Sequence, residues 1–284
     1  MERRRSTVFF LRVLSSGRAP IPVFYKAIHR VPTADGVPDE SWTESLRAGM
    51  ARSREMTDRF LPVASPEGIG APRVLAADPG RLAIVTLGVA GRPLGKAWRL
   101  VAGQDRASRI FKRIGRAIRL MEGCSPAGLL EDRPSMWRVF DSYQKRVGEA
   151  LAPEEVEALQ RRLEELYRLA ISDPEAIIYA HGDLSQGNVL VSGDRVNLVD
   201  LQWLPRLRGY DLANLVYRME NESPRLGGWT ARLHDELLAG YGDPDISNQP
   251  GWQFARLQWL VKLSLRNGRP GQRAAALAEI RASL

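Results

Sequence analysis

The sequence has few of the residues that build disulfide frameworks or zinc sites. Its 284 residues include one cysteine, Cys124, and three histidines, His29, His181 and His234, which lie well apart in the chain. One cysteine excludes an internal disulfide, and three dispersed histidines offer no zinc-ligand spacing. Nothing around Cys124 supports a nucleophile, so we expect it to be a small packing residue.

The chain also lacks an apolar run long enough to cross a membrane. Its basic first five residues and the following Val8–Leu11 superficially resemble a signal peptide. Arg12 interrupts the apolar stretch, however, and no clear small-residue cleavage site follows. We therefore expect a strand here, no stable membrane insertion and a cytoplasmic protein.

A basic motif with interleaved aromatic residues, as nucleic-acid modules carry, is likewise missing. The net charge is +8, which suits nucleic acid, an anionic membrane surface or an anionic substrate. The basic residues are scattered, and those between Arg106 and Arg116 are more typical of a solvated helix face. We expect no nucleic-acid partner. With 44% apolar and 26% charged residues, the composition is that of a globular protein.

The most informative segment that is present runs from His181 to Asn188, with Asp200 twelve residues later. A hydroxyl nucleophile needs a carboxylate to accept its proton, and a polyphosphate needs Mg²⁺, which prefers hard oxygen ligands. The spacing therefore predicts Asp183 as catalytic base and Asn188 and Asp200 as Mg²⁺ ligands. We expect His181 to hold the loop by hydrogen bonds.

The surrounding residues predict a strand, a loop and a hairpin. Ile177–Ala180 is apolar and rich in β-formers, and a turn at residues 192–194 separates the apolar runs Val189–Val191 and Val196–Val199. Asp200 then lies at the exit of the hairpin. Such a string could arise by chance in a polar turn, but the second aspartate at a hairpin end makes that reading weak.

Three pieces carry a family resemblance: residues 181–188, the Val199-Asp200 step and Gly209-Tyr210-Asp211-Leu212-Ala213. Together they closely resemble the aminoglycoside phosphotransferase and choline kinase-like superfamily, from about Val23 to the C-terminal helices. The resemblance implies an α+β, two-lobed protein-kinase-like fold with a small β-rich N-lobe and a larger helical C-lobe. It also implies ATP-dependent phosphorylation of a small-molecule hydroxyl.

Two local features favour a small-molecule kinase over a protein kinase. Gly182 stands where protein kinases carry the arginine that pairs with a phosphorylated activation loop. Asp211 follows Asp200 by only eleven positions, and no A-P-E motif lies between them, so there is little room for a peptide-binding platform. We treat Asp211 as a structural anchor of the catalytic loop.

The first part of the chain is β-rich, with strands predicted at Thr7–Leu14 and Pro22–Ile28. Lys26 lies where the lysine of the kinase V-A-I-K strand would contact the ATP phosphates. Arg12 is the alternative if the strand assignment is wrong, and a solvent-facing Lys26 is the non-functional reading.

A helix is predicted from about Asp39 to Phe60, with Asp39 or Ser41 as its cap. Glu44 and Glu55 are the candidates on this helix to brace Lys26. We favour Glu55, because it lies closer to the predicted strand that follows the helix, although a surface glutamate is an equally simple reading.

The strand Leu82–Leu87 and the following Gly88–Leu94 resemble the kinase hinge. We therefore assign residues 1–88 to the N-lobe and 89–284 to the C-lobe. Beyond the hinge, helical apolar stripes predict core helices, with the catalytic hairpin as the exception. These stripes are Ile110, Ile114, Ile118 and Met121, then Leu159, Leu163, Leu166 and Ala170, with further helices at Trp229–Leu238, Trp252–Leu265 and Gln272–Leu284.

The chain departs from the kinase pattern at its start. Only 25 residues precede Lys26, and Gly17 is the one glycine among them. A glycine-rich loop over the phosphates is therefore shortened, replaced or missing, which leaves GTP open as the donor.

These observations predict an ATP- and Mg²⁺-dependent phosphotransferase acting on an aminoglycoside or other antibiotic, a sugar or an amino alcohol. A polycationic aminoglycoside calls for an acidic pocket, and the later helices offer candidates for it: Glu220, Glu222, Asp235 and Glu236. A lipid-linked or lipopolysaccharide sugar suits the positive charge better. A pseudokinase-like binding module is the alternative from another class, and the oligomeric state cannot be read from the sequence.

Overall fold

The computed structural model describes residues 6–13, 20–28, 40–97, 104–129, 136–137, 140, 147–222, 229–264 and 270–284. The strands in these ranges are β1 (Ser6–Val13), β2 (Ile21–Ile28), β3 (Ile69–Gly70), β4 (Val74–Asp78), β5 (Ala83–Leu87), β6 (Arg92–Pro93), β7 (Ile177–Ala180), β8 (Val189–Ser192), β9 (Arg195–Leu198) and β10 (Leu204–Leu207). The helices are α1 (Glu40–Ala64), α2 (Leu94–Ala97), α3 (Gln104–Gly123), α4 (Pro153–Ile171), α5 (Tyr210–Glu222), α6 (Trp229–Tyr241), α7 (Pro250–Ser264) and α8 (Pro270–Ser283).

The N-terminal sheet has the order β1-β2-β5-β4, and every neighbouring pair is antiparallel. Lys26 pairs with Val8 on one side and Ile84 on the other, so these three side chains share one face. The opposite face carries Phe9 and Leu11, whose exposed fractions are 53% and 51%. The edge strand β1 therefore leaves a large apolar surface uncovered.

A second sheet, in the order β3-β9-β8-β6, contains the catalytic hairpin. The β8–β9 ladder is antiparallel and begins at the pair Val189–Leu198, while β3 joins β9 in parallel. A separate two-stranded ladder pairs β7 with β10. The sequence analysis did not predict β10. Its Pro205 is tolerated because each strand of a two-stranded ladder is a sheet edge.

The helical part forms the main core. The α3 stripe of Ile110, Ile114 and Ile118 is fully buried, as the sequence predicted. Helix α3 packs closely on α6 through two glycines: a Cβ on Gly115 would lie 2.0 Å from the Leu237 carbonyl oxygen, and a Cβ on Gly240 would lie 1.9 Å from the Lys112 carbonyl oxygen. Glycine is therefore required on both sides of this contact.

The architecture confirms the α+β fold class, with a small β-rich N-terminal region and a larger helical C-terminal region. Helix α1 continues past the predicted end at Phe60 and through Pro62, because Phe60 and Ala64 lie one turn apart and are both fully buried. The predicted cap Asp39 and the glycine Gly17 lie outside the described residues. The lobe boundary at residues 88/89 stays a prediction.

Cys124 is half-buried, and its Sγ donates a hydrogen bond to the Leu120 carbonyl oxygen at 3.2 Å. Burial raises the pKa of this thiol, which disfavours the reactive thiolate.

Among the helices of the described ranges, none combines the length and the apolar character that a membrane crossing requires.

Candidate active site

The loop between β7 and β8 is anchored by a buried carboxylate. Asp211, in the first turn of α5, accepts hydrogen bonds from the backbone N–H groups of His181 (2.5 Å) and Gly182 (3.1 Å). Gly182 has a φ of 82°, which a residue with a Cβ rarely adopts. Burial raises the pKa of Asp211, and the two N–H donors oppose that rise. The site thus rests on a fixed backbone turn.

His181 joins this loop to the end of the hairpin. Its ring is fully buried, with Nε2 lying 2.8 Å from the Val199 carbonyl oxygen and Nδ1 lying 3.4 Å from the Asp183 backbone nitrogen. Since a carbonyl oxygen can only accept, Nε2 carries the proton and Nδ1 accepts from Asp183. The imidazole therefore has a structural role.

The side chains of Asp183 and Asn188 are held on this loop. Asn188 Nδ2 donates to the Asp183 carbonyl oxygen at 2.8 Å, so its Oδ1 is the atom left for a cation. The Asp183 side chain is 47% exposed and accepts a hydrogen bond from Arg218 Nη2 at 2.8 Å. The carboxylate is thus oriented from one side and open on the other.

Asp200 follows the hairpin in a left-handed backbone conformation, with a φ of 65°. Such a conformation at a residue with a Cβ persists only where surrounding contacts enforce it, and such residues cluster at functional sites. The preceding Val199 donates its N–H to the Asn188 carbonyl oxygen at 2.9 Å, so both candidate metal ligands lie at the same end of the hairpin. A carboxylate and an amide oxygen form a hard donor set of the kind that Mg²⁺ takes.

Lys26 reaches this end of the hairpin from the N-terminal sheet, where its Nζ forms an ion pair with Asp200 Oδ1. The Lys26 side chain is only 18% exposed, which excludes the solvent-facing reading. Arg12, the alternative to Lys26, lies on the same sheet face but at the other end of the β1–β2 ladder, opposite Pro22.

The predicted partner Glu55 is not at the site, which corrects the expected pairing. Glu55 is 62% exposed and bonds to Arg59 one turn along α1, with a distance of 2.6 Å between Oε1 and Nη2. The other candidate, Glu44, pairs in the same way with Arg47. The face of α1 that meets the cleft instead carries Ser53 and Thr57, because Glu55 lies about 200° around the helix from Ser53.

A cleft of about 300 Å³ opens between the two sheets at Lys26 and Asp200. Its walls are mainly apolar, a common feature of ligand pockets of this size. The lining residues are Val8, Phe24, Lys26, Ser53, Thr57, Pro72, Val74, Ile84, Thr86, Leu87, Val89, Leu190, Val199, Asp200, Leu201 and Trp203. Leu87 and Val89 belong to the segment predicted as the hinge, and the Asn197 amide donates to the Ala90 carbonyl oxygen at 2.8 Å.

The acidic residues proposed for an aminoglycoside pocket do not gather at Asp183. Glu236 pairs with Lys112 on α3 at 3.2 Å, and Asp235 is exposed on α6, the helix that packs on α3. Glu220 is exposed near the end of α5, close to Arg256 and His234, and partial desolvation raises its pKa. The Glu222 side chain lies outside the described residues.

Sequence reasoning missed two residues beside Asp183. Asn214 Nδ2 donates to the Leu184 carbonyl oxygen at 2.9 Å, and Asn214 Oδ1 accepts from Arg218 Nε at 2.9 Å. With Asp211, these residues occupy positions i, i+3 and i+7 of α5, so one helix face holds the catalytic loop. That polar spacing on an otherwise apolar helix was the available signal.

Glu122 is a third residue that sequence reasoning missed. It is 4% exposed, and its carboxyl group accepts hydrogen bonds from Tyr241 Oη (2.5 Å) and the Gly209 backbone N–H (3.2 Å). Burial raises the pKa of Glu122 to about 7. This carboxyl group holds the backbone of Gly209, two residues before Asp211, at the turn that leads into α5.

Solved structures share the fold. A choline/ethanolamine kinase family protein from Mesorhizobium loti is 15% identical, with 96% of this chain and 87% of that chain covered and a TM-score of 0.56. The GDP complex of aminoglycoside 2'-phosphotransferase-IIIa is 13% identical, covering 99% and 93%, with a TM-score of 0.51. A putative fructosamine-3-kinase from Thermobifida fusca is 21% identical, covering 97% and 93%, with a TM-score of 0.50.

A search among curated proteins finds no significant match. The model of the phosphotransferase enzyme family, APH, matches residues 44–257, which is three quarters of the chain and includes the whole catalytic loop and hairpin. This match confirms the resemblance inferred from residues 181–213 and the prediction of a small-molecule kinase. The chain belongs to the APH phosphotransferase enzyme family.

Proposed function

We propose that this kinase transfers the γ-phosphoryl group of ATP, with Mg²⁺, to a hydroxyl of a small molecule such as an antibiotic, a sugar or an amino alcohol. The observation that carries the proposal is the ion pair between Lys26 and Asp200. It brings the cation that would hold phosphates next to a carboxylate that would hold the metal. A pure binding module has no need of this pair beside an open, oriented Asp183.

In the proposed reaction, the Asp183 carboxylate hydrogen-bonds the acceptor hydroxyl and accepts its proton as the new O–P bond forms. The bond between the γ-phosphorus and the bridging oxygen breaks, ADP leaves, and Asp183 later returns its proton to solvent. Bound Mg²⁺ would neutralise charge on the phosphates, and Asn188 Oδ1 and Asp200 would hold it. Lys26 would steady the phosphates, and the apolar walls of the cleft would take the base of the nucleotide.

A transfer assay with labelled nucleotide tests this proposal. The wild-type chain is incubated with ATP or GTP, with Mg²⁺ or with EDTA, over a panel of aminoglycosides, sugars and amino alcohols. We expect Mg²⁺-dependent label in at least one acceptor and none with Asp200→Asn. Binding of nucleotide without transfer to any acceptor or to water would instead support the pseudokinase reading, and failure to bind either nucleotide would contradict both.

A membrane-borne acceptor, such as a lipid-linked sugar, is a second candidate. The observation that favours it is the outer face of the N-terminal sheet, where Phe9, Leu11 and Val13 are each about half exposed in a chain of net charge +8. Apolar side chains and positive charge together suit an anionic lipid surface. Cosedimentation with phosphatidylglycerol vesicles, lost in neutral phosphatidylcholine vesicles and in Leu11→Ser, is the expected result. Equal sedimentation of Leu11→Ser would exclude this face.

A further inference from the structure

Arg218 contacts the proposed base, Asp183, from helix α5. Its side chain is 14% exposed, and its Nη2 lies 2.8 Å from Asp183 Oδ1. An acceptor hydroxyl that is hydrogen-bonded to the other carboxylate oxygen of Asp183 would lie about 5 Å from this guanidinium. A substituent one or two bonds from the reacting hydroxyl is therefore within reach of Arg218.

Orienting Asp183 does not require all the donors of an arginine. A guanidinium offers five N–H donors in a planar fork. Two of its three nitrogens have partners: Nε bonds Asn214 and Nη2 bonds Asp183. Within the described ranges, Nη1 has no such partner, although it is not a buried orphan. Nη1 is therefore available to an acceptor anion.

An aromatic ring supports the guanidinium of Arg218. Its guanidinium lies 5.1 Å from the ring centroid of Trp259 on α7, and Lys262 Nζ lies 4.0 Å from the same centroid. Trp259 is 4% exposed and stacks on Tyr217, so the ring is a fixed support for both cations. Glu236 of the acidic set pairs with Lys112 on α3.

We propose that the acceptor carries an anionic group, a carboxylate or a phosphate, close to the hydroxyl that is phosphorylated, and that Arg218 recognises it. This inference rests on the proposed function and narrows its substrate class. A fork of N–H donors matches the oxygens of either anion, and a buried aromatic support limits the entropy lost when it binds. Polycationic acceptors are disfavoured, because their ammonium groups would meet Arg218.

The test compares matched acceptors that differ only in the anionic group. Binding of glucuronate against glucose, galacturonate against galactose, and glucose 6-phosphate against glucose is measured by calorimetry with Mg²⁺ and a non-hydrolysable ATP analogue, with kanamycin as the polycation. Transfer kinetics are measured on the same panel. We expect at least one anionic member to bind about tenfold or more tighter than its neutral partner, and the carboxylate and phosphate arms identify which anion is preferred.

Variants assign the preference to Arg218. Arg218→Gln should raise KM about tenfold for the anionic member and leave the KM of its neutral partner within about threefold. The kcat should fall for both acceptors, because Asp183 loses a hydrogen bond that orients it. Arg218→Lys should keep part of the preference. Arg168→Gln, which removes an exposed arginine of α4, should change nothing. Thermal unfolding of each variant confirms that it is folded.

Three outcomes overturn the inference: no anionic acceptor binds, a neutral acceptor or kanamycin binds as tightly, or Arg218→Gln lowers kcat equally for every acceptor with KM unchanged. The last result would make Arg218 only a positioning residue for Asp183. Nucleotide binding and transfer to neutral acceptors would survive each of the last two outcomes. If the wild-type chain neither bound nucleotide nor transferred phosphate to any acceptor, the proposed function itself would have failed.

Discussion

The catalytic hairpin and the N-terminal sheet line opposite sides of one cleft, and the loop that precedes the hairpin is held differently from the sheet. On the loop, His181 is fully buried, and Asp211 accepts N–H groups from two consecutive residues. On the sheet, Phe9 and Leu11 of the edge strand are more than half exposed. Lys26 is the residue that joins the two. The site therefore combines a rigid half, which fixes the proposed base and metal ligands, with the N-terminal sheet, which carries Lys26.

The largest effect should come from the base on the rigid half. Asp183→Asn keeps an oxygen that can accept from Arg218 but cannot take the hydroxyl proton. We expect kcat to fall about 10³-fold with the thermal midpoint unchanged. Steady-state transfer kinetics and a melting curve check this, and near-normal turnover would remove Asp183 from the mechanism.

The anchor of the loop should matter to stability more than the outer sheet does. Asp211→Ala leaves the buried N–H groups of His181 and Gly182 without an acceptor, so we expect a loss of about 3 kcal/mol in the free energy of unfolding. Phe9→Ser, on the exposed face of β1, should change it by no more than about 0.5 kcal/mol. Chemical denaturation measures both, and equal losses would break the contrast between the two halves.

The N-terminal sheet should still matter to activity, because it carries Lys26. Lys26→Met removes the cation opposite Asp200, and we expect kcat/KM for the nucleotide to fall about 10²-fold. Glu55→Gln is the matched control on α1 and should stay within about twofold, because Glu55 bonds Arg59 on the surface. A large effect of Glu55→Gln would restore the pairing first expected from the sequence.

The smallest effect is a pH dependence that the buried carboxyl of Glu122 imposes. Its pKa rises from 4.5 to about 7 on folding, so between these pH values the folded chain keeps a proton that the unfolded chain has lost. This stabilisation is complete below about pH 4.5 and is lost as pH rises through 7, with a slope of at most about 1.4 kcal/mol per pH unit. Glu122→Gln should flatten this part of the profile in denaturation experiments at pH 5 to 8. An unchanged slope would mean that Glu122 titrates normally.

The sequence predicted the catalytic loop and its hairpin well. The strand Ile177–Ala180, the hairpin and the core stripes of α3 and α4 lie where the pattern placed them, because strongly periodic apolar residues leave few alternatives. Prediction did less well on α1. The rotation of that helix decides whether Glu55 or Ser53 meets Lys26, and packing of its buried face sets that rotation.

By itself, the sequence determined the family, the α+β class and the residue types of the site. Asp183, Asn188 and Asp200 lie within one strand, loop and hairpin, so their spacing along the chain is enough to recognise them. Only the tertiary structure decided which distant residues join them: Lys26 at Asp200, and Arg218 at Asp183. Contacts between residues 174 and 35 positions apart depend on how sheets and helices pack, and local sequence patterns do not encode that packing.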